Sequence, residues 1–412
     1  EILAMTAEER SQAQQDQVRK HFRATAPVTA SLRKRIDDAT NEKKVLAQYA
    51  QVLISQSMKE PRVVRILNRG NWQDETGEIV QPAVPVSLGS IPLDGRQRLT
   101  RLDMANWIVS PSNPLTARVM VNRLWKLMFG RGLANNLGDV GAQGQPPSHP
   151  ELLDWLASEF IESGWNVKHM MKLMAMSDAY RRSSEATPSL LIRDPENELL
   201  ARQGRWRLDA EFVRDNALKI SGLLSSRIGG SSVRPYQPAG YLANLNFPTR
   251  SWVQDTGESQ YRRGLYTFWQ RTFLHPSLAA FDAPSREECT VQRSVSNTPL
   301  QALVLLNDPT YVEAAREFAR RMIAEGGKTD GDRLKFGFRK ALSREPTSAE
   351  LLVLTRLVKK HREEFKTNSA GASEFGKIGL HPVPATIDAA ELAAWTSVAR
   401  AILNLHECIT RE

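Results

Sequence analysis

Helix boundaries are the most plainly written feature of this chain. TAEE (Thr6 to Glu9), SHPE (Ser148 to Glu151), TPLQ (Thr298 to Gln301) and TSAE (Thr347 to Glu350) each set a hydroxyl three residues ahead of a Glu or Gln. In such a capping box the hydroxyl accepts from the third helical N–H, and the later side chain reaches back to the first. DAAE (Asp388 to Glu391) is the aspartate counterpart. Asn113-Pro114 and Asp308-Pro309 put a cap ahead of a proline, whose fixed φ suits a first helical turn. Gly130, Gly164 and Gly326-Gly327 supply stops. Starts and stops at this density dictate a mostly α fold: a multi-helix globular domain with a small β ribbon inserted.

The same signals divide the chain. Residues 1–58 read as two long polar helices, a hairpin or a connecting arm. Residues 59–95 are extended, with Val63 to Leu67 and Ile79 to Val80 flanking a turn and prolines following. Residues 96–412 form the mainly helical domain, interrupted at about 229–273 by a loop and ribbon insert. The aromatic run inside that insert predicts a strand over Gly264 to Trp269. A Gly/Ser/Pro loop is expected around 367–387, and no internal repeat is present.

With 412 residues, 41% hydrophobic and 25% charged, the chain can bury a substantial core. Its formal charge is +9, yet the densest basic runs, RKRIDD and VKKHREEFK, adjoin acids. That charge serves solubility and weak steering, and it disfavours a nucleic-acid role. Cys289 and Cys408 are too few for a disulfide scaffold or a zinc site, although one long-range bridge stays open. The seven histidines are scattered, so no metal site is expected, and no Cys-x-x-Cys-His occurs, so no c-type haem is expected on this chain. No apolar run reaches membrane-spanning length. No signal peptide heads the chain; its first residues, EILAMTAEER, read as the interior of a longer polypeptide.

Four clusters carry candidate chemistry. In NPLTARVMVNRLWKLMFG, Ala117, Val121, Leu124 and Met128 form an apolar stripe, with Arg118, Asn122, Trp125 and Phe129 beside it. A half-buried arginine there either staples the interior to an acid or carbonyl, or faces a ligand. Asp139 lies in a Gly- and Pro-rich loop, and His149 is expected at a first helical position, where the dipole favours neutral imidazole. These two are the catalytic candidates. In RWRLDAEFVRDNAL, Arg207, Glu211 and Arg214 or Asp215 share one helical face and predict an intrahelical salt-bridge ladder, with a working carboxylate pair as the alternative. In YRRGLYTFWQRT, Arg262, Arg263 and Arg271 interleave with aromatics. The ribbon is either a buried central element or a stacking surface for sugars, bases or an acidic ligand. Around CTVQRSVSNTPLQALVLLNDP, Leu300, Leu303, Val304 and Leu306 read as core, while Arg293, Asn297 and Asn307 tie helix ends to the ribbon or border a pocket.

Long phrases carry a resemblance. The stretch from NPLTARVMVNRLW through SHPELLDWLASEFIESGW, then SDAYRRSS, VRPYQPAG, YRRGLYTFWQRT, FDAPSREECTVQRSVSNTPLQALVLLNDP and ELAAWTSVARAILNLHE, follow one another in a familiar order. Together they resemble the planctomycete-type domain of unknown function at the C-terminal end of large cytochrome-c-associated proteins, over roughly residues 60–410. MKEPRVVRILNRGNW resembles the segment that precedes that domain. The resemblance implies upstream partners in the same polypeptide, a c-type haem domain and a second planctomycete-specific domain. It also implies export to the periplasm or cell envelope, and work on extracellular glycan. The domain's recurring polar positions correspond here to Arg118, Asn122, Arg123, Asp139, His149, Arg262, Arg263, Arg271, Asn297 and Asn307. Cys408 falls outside the pattern, which disfavours a Cys289–Cys408 bridge.

Two functions follow as expectations. One is the substrate-side module of an exported, haem-linked envelope oxidoreductase, with Arg118, Asn122, Arg123, Arg262, Arg263, Arg271, Asn297 and Asn307 holding substrate. The other is a non-catalytic binding or scaffolding module that packs on sister domains or cell-surface glycan.

Overall fold

The structure, a computed structural model, describes residues 2–47, 53–56, 58–141, 143–242, 251–270, 273–383 and 386–411. Among them lie sixteen α-helices and two small two-stranded sheets, so the fold is mostly α. The chain divides into two compact units, Glu1–Val80 and Gln81–Glu412.

The first unit holds α1 (Gln12–Thr25), α2 (Ala30–Leu46) and an antiparallel pair, β1 (Val64–Arg65) with β2 (Ile79–Val80). The pair falls in the two runs predicted to be extended. Neither helix buries a residue. The predicted box at Thr6 is only a turn, in which the Thr6 N–H donates to Glu9. The box that forms is one turn later, where Ser11 and Gln14 cap α1 reciprocally. A β-carbon on Gly77 would run into the Ile66 carbonyl, so the β1–β2 crossing requires glycine there.

The second unit contains three apolar cores. α3 (Arg101–Ile108) leads in, opened by a box between Thr100 and Asp103. The first core joins α4 (Thr116–Phe129), α5 (Pro150–Glu162) and α6 (Val167–Ala175) through Val121, Leu124, Phe160, Met170 and Met174. The apolar stripe predicted for α4 is buried as expected. After α7 (Pro188–Arg193) and the short strand β3 (Trp206–Arg207), a second core gathers on α8 (Ala210–Ser221), α9 (Pro276–Ala280), α10 (Pro299–Asn307) and α11 (Pro309–Glu325). Val213, Leu218, Leu278, Phe281 and Tyr311 fill it. The third core lies between the far half of α11, α12 (Asp330–Leu342), α13 (Ser348–Thr367) and α15 (Ala389–Leu403). Phe318, Met322, Phe338, Trp395 and Ile402 are its centre. Each large apolar side chain withdrawn from water contributes about 1.5–3 kcal/mol. α14 (Ser369–Gly376) occupies the region expected to be loop, and α16 (His406–Ile409) leads into β4 (Thr410–Arg411), which pairs antiparallel with β3.

Several expectations need correction. At Ser148 the box does not form: His149 takes the cap position of α5 instead of the first helical one. Thr298 caps α10 in position only, because Gln301 turns to Ser296. Asp388 accepts the Glu391 N–H, but the Glu391 carboxylate goes to Arg362 and Trp395. The strand over Gly264 to Trp269 is a 3-10 turn, Gly264–Tyr266, followed by one isolated parallel bridge from Thr267 to Val233. No second strand lies beside it to complete a ribbon among the described residues, and Leu265 is exposed. Leu300 and Leu303 are 56% and 54% exposed, so the core face of α10 is Leu305, with Val304 and Leu306 half-buried. No described helix is long and apolar enough to cross a membrane.

Candidate functional site

The predicted site residues are brought together only in part, and most are committed to local structure. Arg118 donates to the Asp154 carboxylate at 2.5 Å and to the Pro114 carbonyl, stapling α5 to the start of α4. Asn122 is fully buried and clips the chain after α4. Its amide donates to the Ala134 carbonyl at 2.8 Å, and its oxygen accepts the Ala134 N–H at 3.1 Å. A β-carbon on Gly132 would come within 2.9 Å of that oxygen, so the clip also needs glycine. Arg123 is exposed.

Asp139 accepts the Gly141 N–H within its own loop. The Nδ1 of His149 meets the Ser148 hydroxyl at 3.0 Å, and Ser148 in turn donates to the Leu133 carbonyl. The two catalytic candidates therefore have separate local partners. Arg262 is buried, stacks 3.8 Å over the Tyr266 ring, and donates to the Ser231 and Gly229 carbonyls. Arg263, Asn297 and Asn307 are exposed, and Asn307 donates to Leu303 one turn back. Arg271 lies outside the described residues. Cys408 is a buried thiol donating to the Ile402 carbonyl, and Cys289 is an exposed thiol, so no bridge joins them.

The ladder expected on α8 does not form either. Arg207 belongs to β3 and donates to the Phe281 carbonyl and Asp282. Glu211 pairs with Arg293 at 2.6 Å. Arg214, 1% exposed, donates to the carbonyls of Arg262 and Gln260 at 2.6 and 2.7 Å. Asp215 accepts the Gly264 N–H at 2.6 Å. Each of these side chains reaches out to bind another segment. The part of the expectation for Arg293 that holds is the tie, from the loop before α10 to α8.

Around Arg214 lies a buried polar cluster that sequence reasoning missed. His275, at the start of α9, has its Nε2 2.6 Å from the Tyr236 carbonyl and its Nδ1 3.3 Å from the Ser277 hydroxyl. A carbonyl can only accept, so Nε2 carries the proton and Nδ1 accepts from Ser277. Burial pushes His275 down to about 4, against the pull of that carbonyl bond. Burial likewise raises Asp308 and Asp215, opposed by the Thr310 and Gly264 backbone N–H groups respectively. Tyr311 is raised by burial and then by Asp308. The only sequence signals here were the Asp308 cap and a histidine before Pro276.

A second node lies one turn further along α11. Glu313, Arg316 and Glu317 are all fully buried. Glu313 accepts from the Tyr261 hydroxyl at 2.9 Å and from the Leu380 and His381 N–H groups. Arg316 donates to the Gly376, Ile378 and His381 carbonyls and to Glu317. The carboxylates and the guanidinium together clamp the loop after α14 onto α11, with every charge met.

One hollow of about 480 Å³ opens at the C-terminal end of α4. Trp125, Phe129, Leu200 and Trp206 supply apolar wall, and Arg131, Arg202, Glu196 and Glu198 supply charge. Gly130 ends α4 in the left-handed region, and a β-carbon there would come within 2.6 Å of the Trp206 ring. Glycine thus both stops the helix and lets the indole close the wall. Ser148 reaches this hollow, which brings the predicted His149 region to the border of a cavity. A second hollow of about 280 Å³, between α13 and α15, is apolar. Among the described residues no group of three or more His, Cys, Asp or Glu is placed to hold a metal ion. The first hollow combines ring-sized apolar wall with fixed polar groups, which suits binding.

One family profile, PSD1, Protein of unknown function (DUF1553), matches residues 100–358. No curated protein and no solved structure matches the chain.

Proposed function

This chain belongs to the PSD1 family of proteins of unknown function, and on that premise we propose that it is a non-catalytic binding and scaffolding module of a larger exported protein. One observation carries the reading. Arg118, Asn122, Asp139, His149 and Arg262 each serve a different piece of local structure, while the polar groups that do share an accessible hollow are charged side chains, amides and two serine hydroxyls beside aromatic rings. Such a wall binds and orients; its Ser148 hydroxyl, although beside His149, donates to the Leu133 carbonyl and so hands that imidazole no proton. The resemblance to the C-terminal domain of planctomycete cytochrome-c-associated proteins supports a setting in the periplasm or cell envelope. It also supports partners in an upstream haem domain and a planctomycete-specific domain, with cell-surface glycan as ligand. The chain does not itself fit a c-type haem: it has no Cys-x-x-Cys-His, and its cysteines are one buried and one isolated thiol. The test is a glycan array paired with turnover assays on the same sugars and alcohols. Binding without product is expected; product formation that depends on the protein would overturn the reading.

A second reading has its own support. His275, Asp308 and Tyr311 carry shifted ionisations side by side, a pattern common at catalytic sites. It fits the substrate-side module of a haem-linked envelope oxidoreductase acting on carbohydrate. Its test is substrate-dependent reduction of haem in the full-length protein, and haem that stays oxidised across a broad sugar and alcohol panel would sink it.

A further inference from the structure

We propose that the hollow at the end of α4 takes an uncharged sugar ring, recognised by its hydroxyls. The proposal rests on the binding-module reading and adds the place and the charge class of the glycan.

The charges in the wall balance. Arg131 and Arg202 stand against Glu196 and Glu198, and Arg131 meets Glu198 at 2.5 Å and Glu196 at 3.5 Å. Arg205 also lines the hollow. It donates to the Ser184 hydroxyl and, after Arg344, adds to the pull that holds the Glu407 carboxylate low, so its charge acts on an acid outside the lining. Neither an acid nor an amine gains from a balanced wall, and each would meet like charges there.

What the wall keeps unspent is a mixture of donors and acceptors. Arg202 gives one N–H to the Asp194 carbonyl at 3.0 Å and one to the Pro195 carbonyl at 2.8 Å. A guanidinium carries five N–H donors, so donors are left over. Glu198 gives one oxygen to Arg131, and its other oxygen has no hydrogen-bond partner among the described residues. Glu196 faces Arg131 only at ion-pair distance. A carboxylate ligand would satisfy the donors alone, and an ammonium the acceptors alone. A hydroxyl donates and accepts at once. Neighbouring hydroxyls on a ring therefore answer both halves of this wall without adding charge.

The frame is built in advance. Asn197 clasps the Arg202 backbone twice, its amide donating to the carbonyl at 2.7 Å and its oxygen accepting the N–H at 3.2 Å. Asp194 accepts the Glu198 and Leu199 N–H groups. Asn197 and Leu200 both lie in the left-handed region, at φ 54° and 55°, a strained setting for leucine that the closed loop holds in place. Leu200 lines the hollow with Phe129 and Trp206, apolar wall for the C–H face of a ring. A hollow of about 480 Å³ takes one or two such rings.

The experiment titrates the whole protein, by ligand-observed NMR, with glucose, galactose and mannose, each beside its uronate and its 2-amino sugar. At least one neutral hexose is expected to bind, with its two charged partners about tenfold weaker. Glu198→Gln leaves the wall positive and should weaken the hexose while strengthening its uronate. Arg202→Gln leaves the wall negative and should weaken the hexose while strengthening its amine. A damaged fold would weaken every ligand, so the gains are the discriminating result. Ala186→Trp, which fills the hollow from its lining, should abolish binding. No binding by any of these hexoses, a charged partner that binds as tightly as its hexose, a missing gain in either variant, or hexose binding that persists in Ala186→Trp overturns the proposal. A glycan array and a product assay run alongside separate the failures. Array binding that persists in Ala186→Trp removes this site and leaves the binding module standing, whereas product formed by the protein removes the binding-module reading itself.

Discussion

α2 and α11 are both seventeen residues long and both rich in Arg, Lys, Asp and Glu, yet α2 buries no residue and α11 buries eleven. The difference does not lie in charge. α2 spaces Leu32 and Ile36 among its charges, and both stay exposed. α11 carries Tyr311, Ala314, Ala315, Phe318, Ala319 and Met322, apolar at steps of three and four, and takes Glu313, Arg316 and Glu317 inside with them. Charged residues are buried where backbone groups from another segment wait to meet them, as the loop after α14 does for α11. A helix without such a partner relies on caps and local bonds, a marginal position at this length.

The contrast is breakable by experiment. The largest effect is expected at Glu313→Ala, which strands the Tyr261 hydroxyl and two backbone N–H groups; a loss of about 3–5 kcal/mol in urea unfolding is anticipated. A loss below about 1 kcal/mol would mean that the clamp contributes little and that α11 differs from α2 in apolar packing alone. Next comes acid. Burial lowers His275 to about 4 in the fold, against an ordinary 6.5, so the unfolded chain binds its proton first as pH falls. Stability should drop by about 3 kcal/mol between pH 6.5 and 4 from this group. Asp308, raised by burial, acts in the opposite sense and offsets part of it. Denaturation curves of His275→Gln should lack the histidine component; an unchanged pH slope would remove His275 as its source. Thr347→Ala, which loses the box with Glu350 at the start of α13, should cost about 1 kcal/mol. Ile36→Ala on α2 should cost under about 0.5 kcal/mol, and a larger loss would show that its exposed face is covered in solution.

What was legible in the sequence was local. Thr347 with Glu350, Asp308 before Pro309, and Gly130 after Phe129 each act within one helical turn, and each stands where the sequence placed it. Partners at a distance were not legible. The i, i+4 spacing from Arg207 to Glu211 suggested a ladder, yet their partners lie 75 and 82 residues away, at Asp282 and Arg293. Arg118 was read as needing an acid or carbonyl, but nothing local named Asp154, 36 residues on. α10 is apolar on every side, so periodicity had no means to choose Leu305 over Leu300 and Leu303. The aromatic run over 264–269 implied a strand, but a strand needs a neighbour, and among the described residues Val233 supplies one bridge there. The hollow at the end of α4 combines one loop after that helix with another some seventy residues later, an encounter that no window of sequence contains.

The third core has a practical corollary. α15 contributes Trp395, Val398 and Ile402, and β4 closes against β3, yet both come after residue 358, where the family match stops. A fragment trimmed to that match would leave Phe318, Met322 and Phe338 facing solvent and the edge of Trp206 unzipped. The piece to express, crystallise or graft therefore runs at least through Arg411, because the segment defined by kinship stops short of side chains that close its own interior.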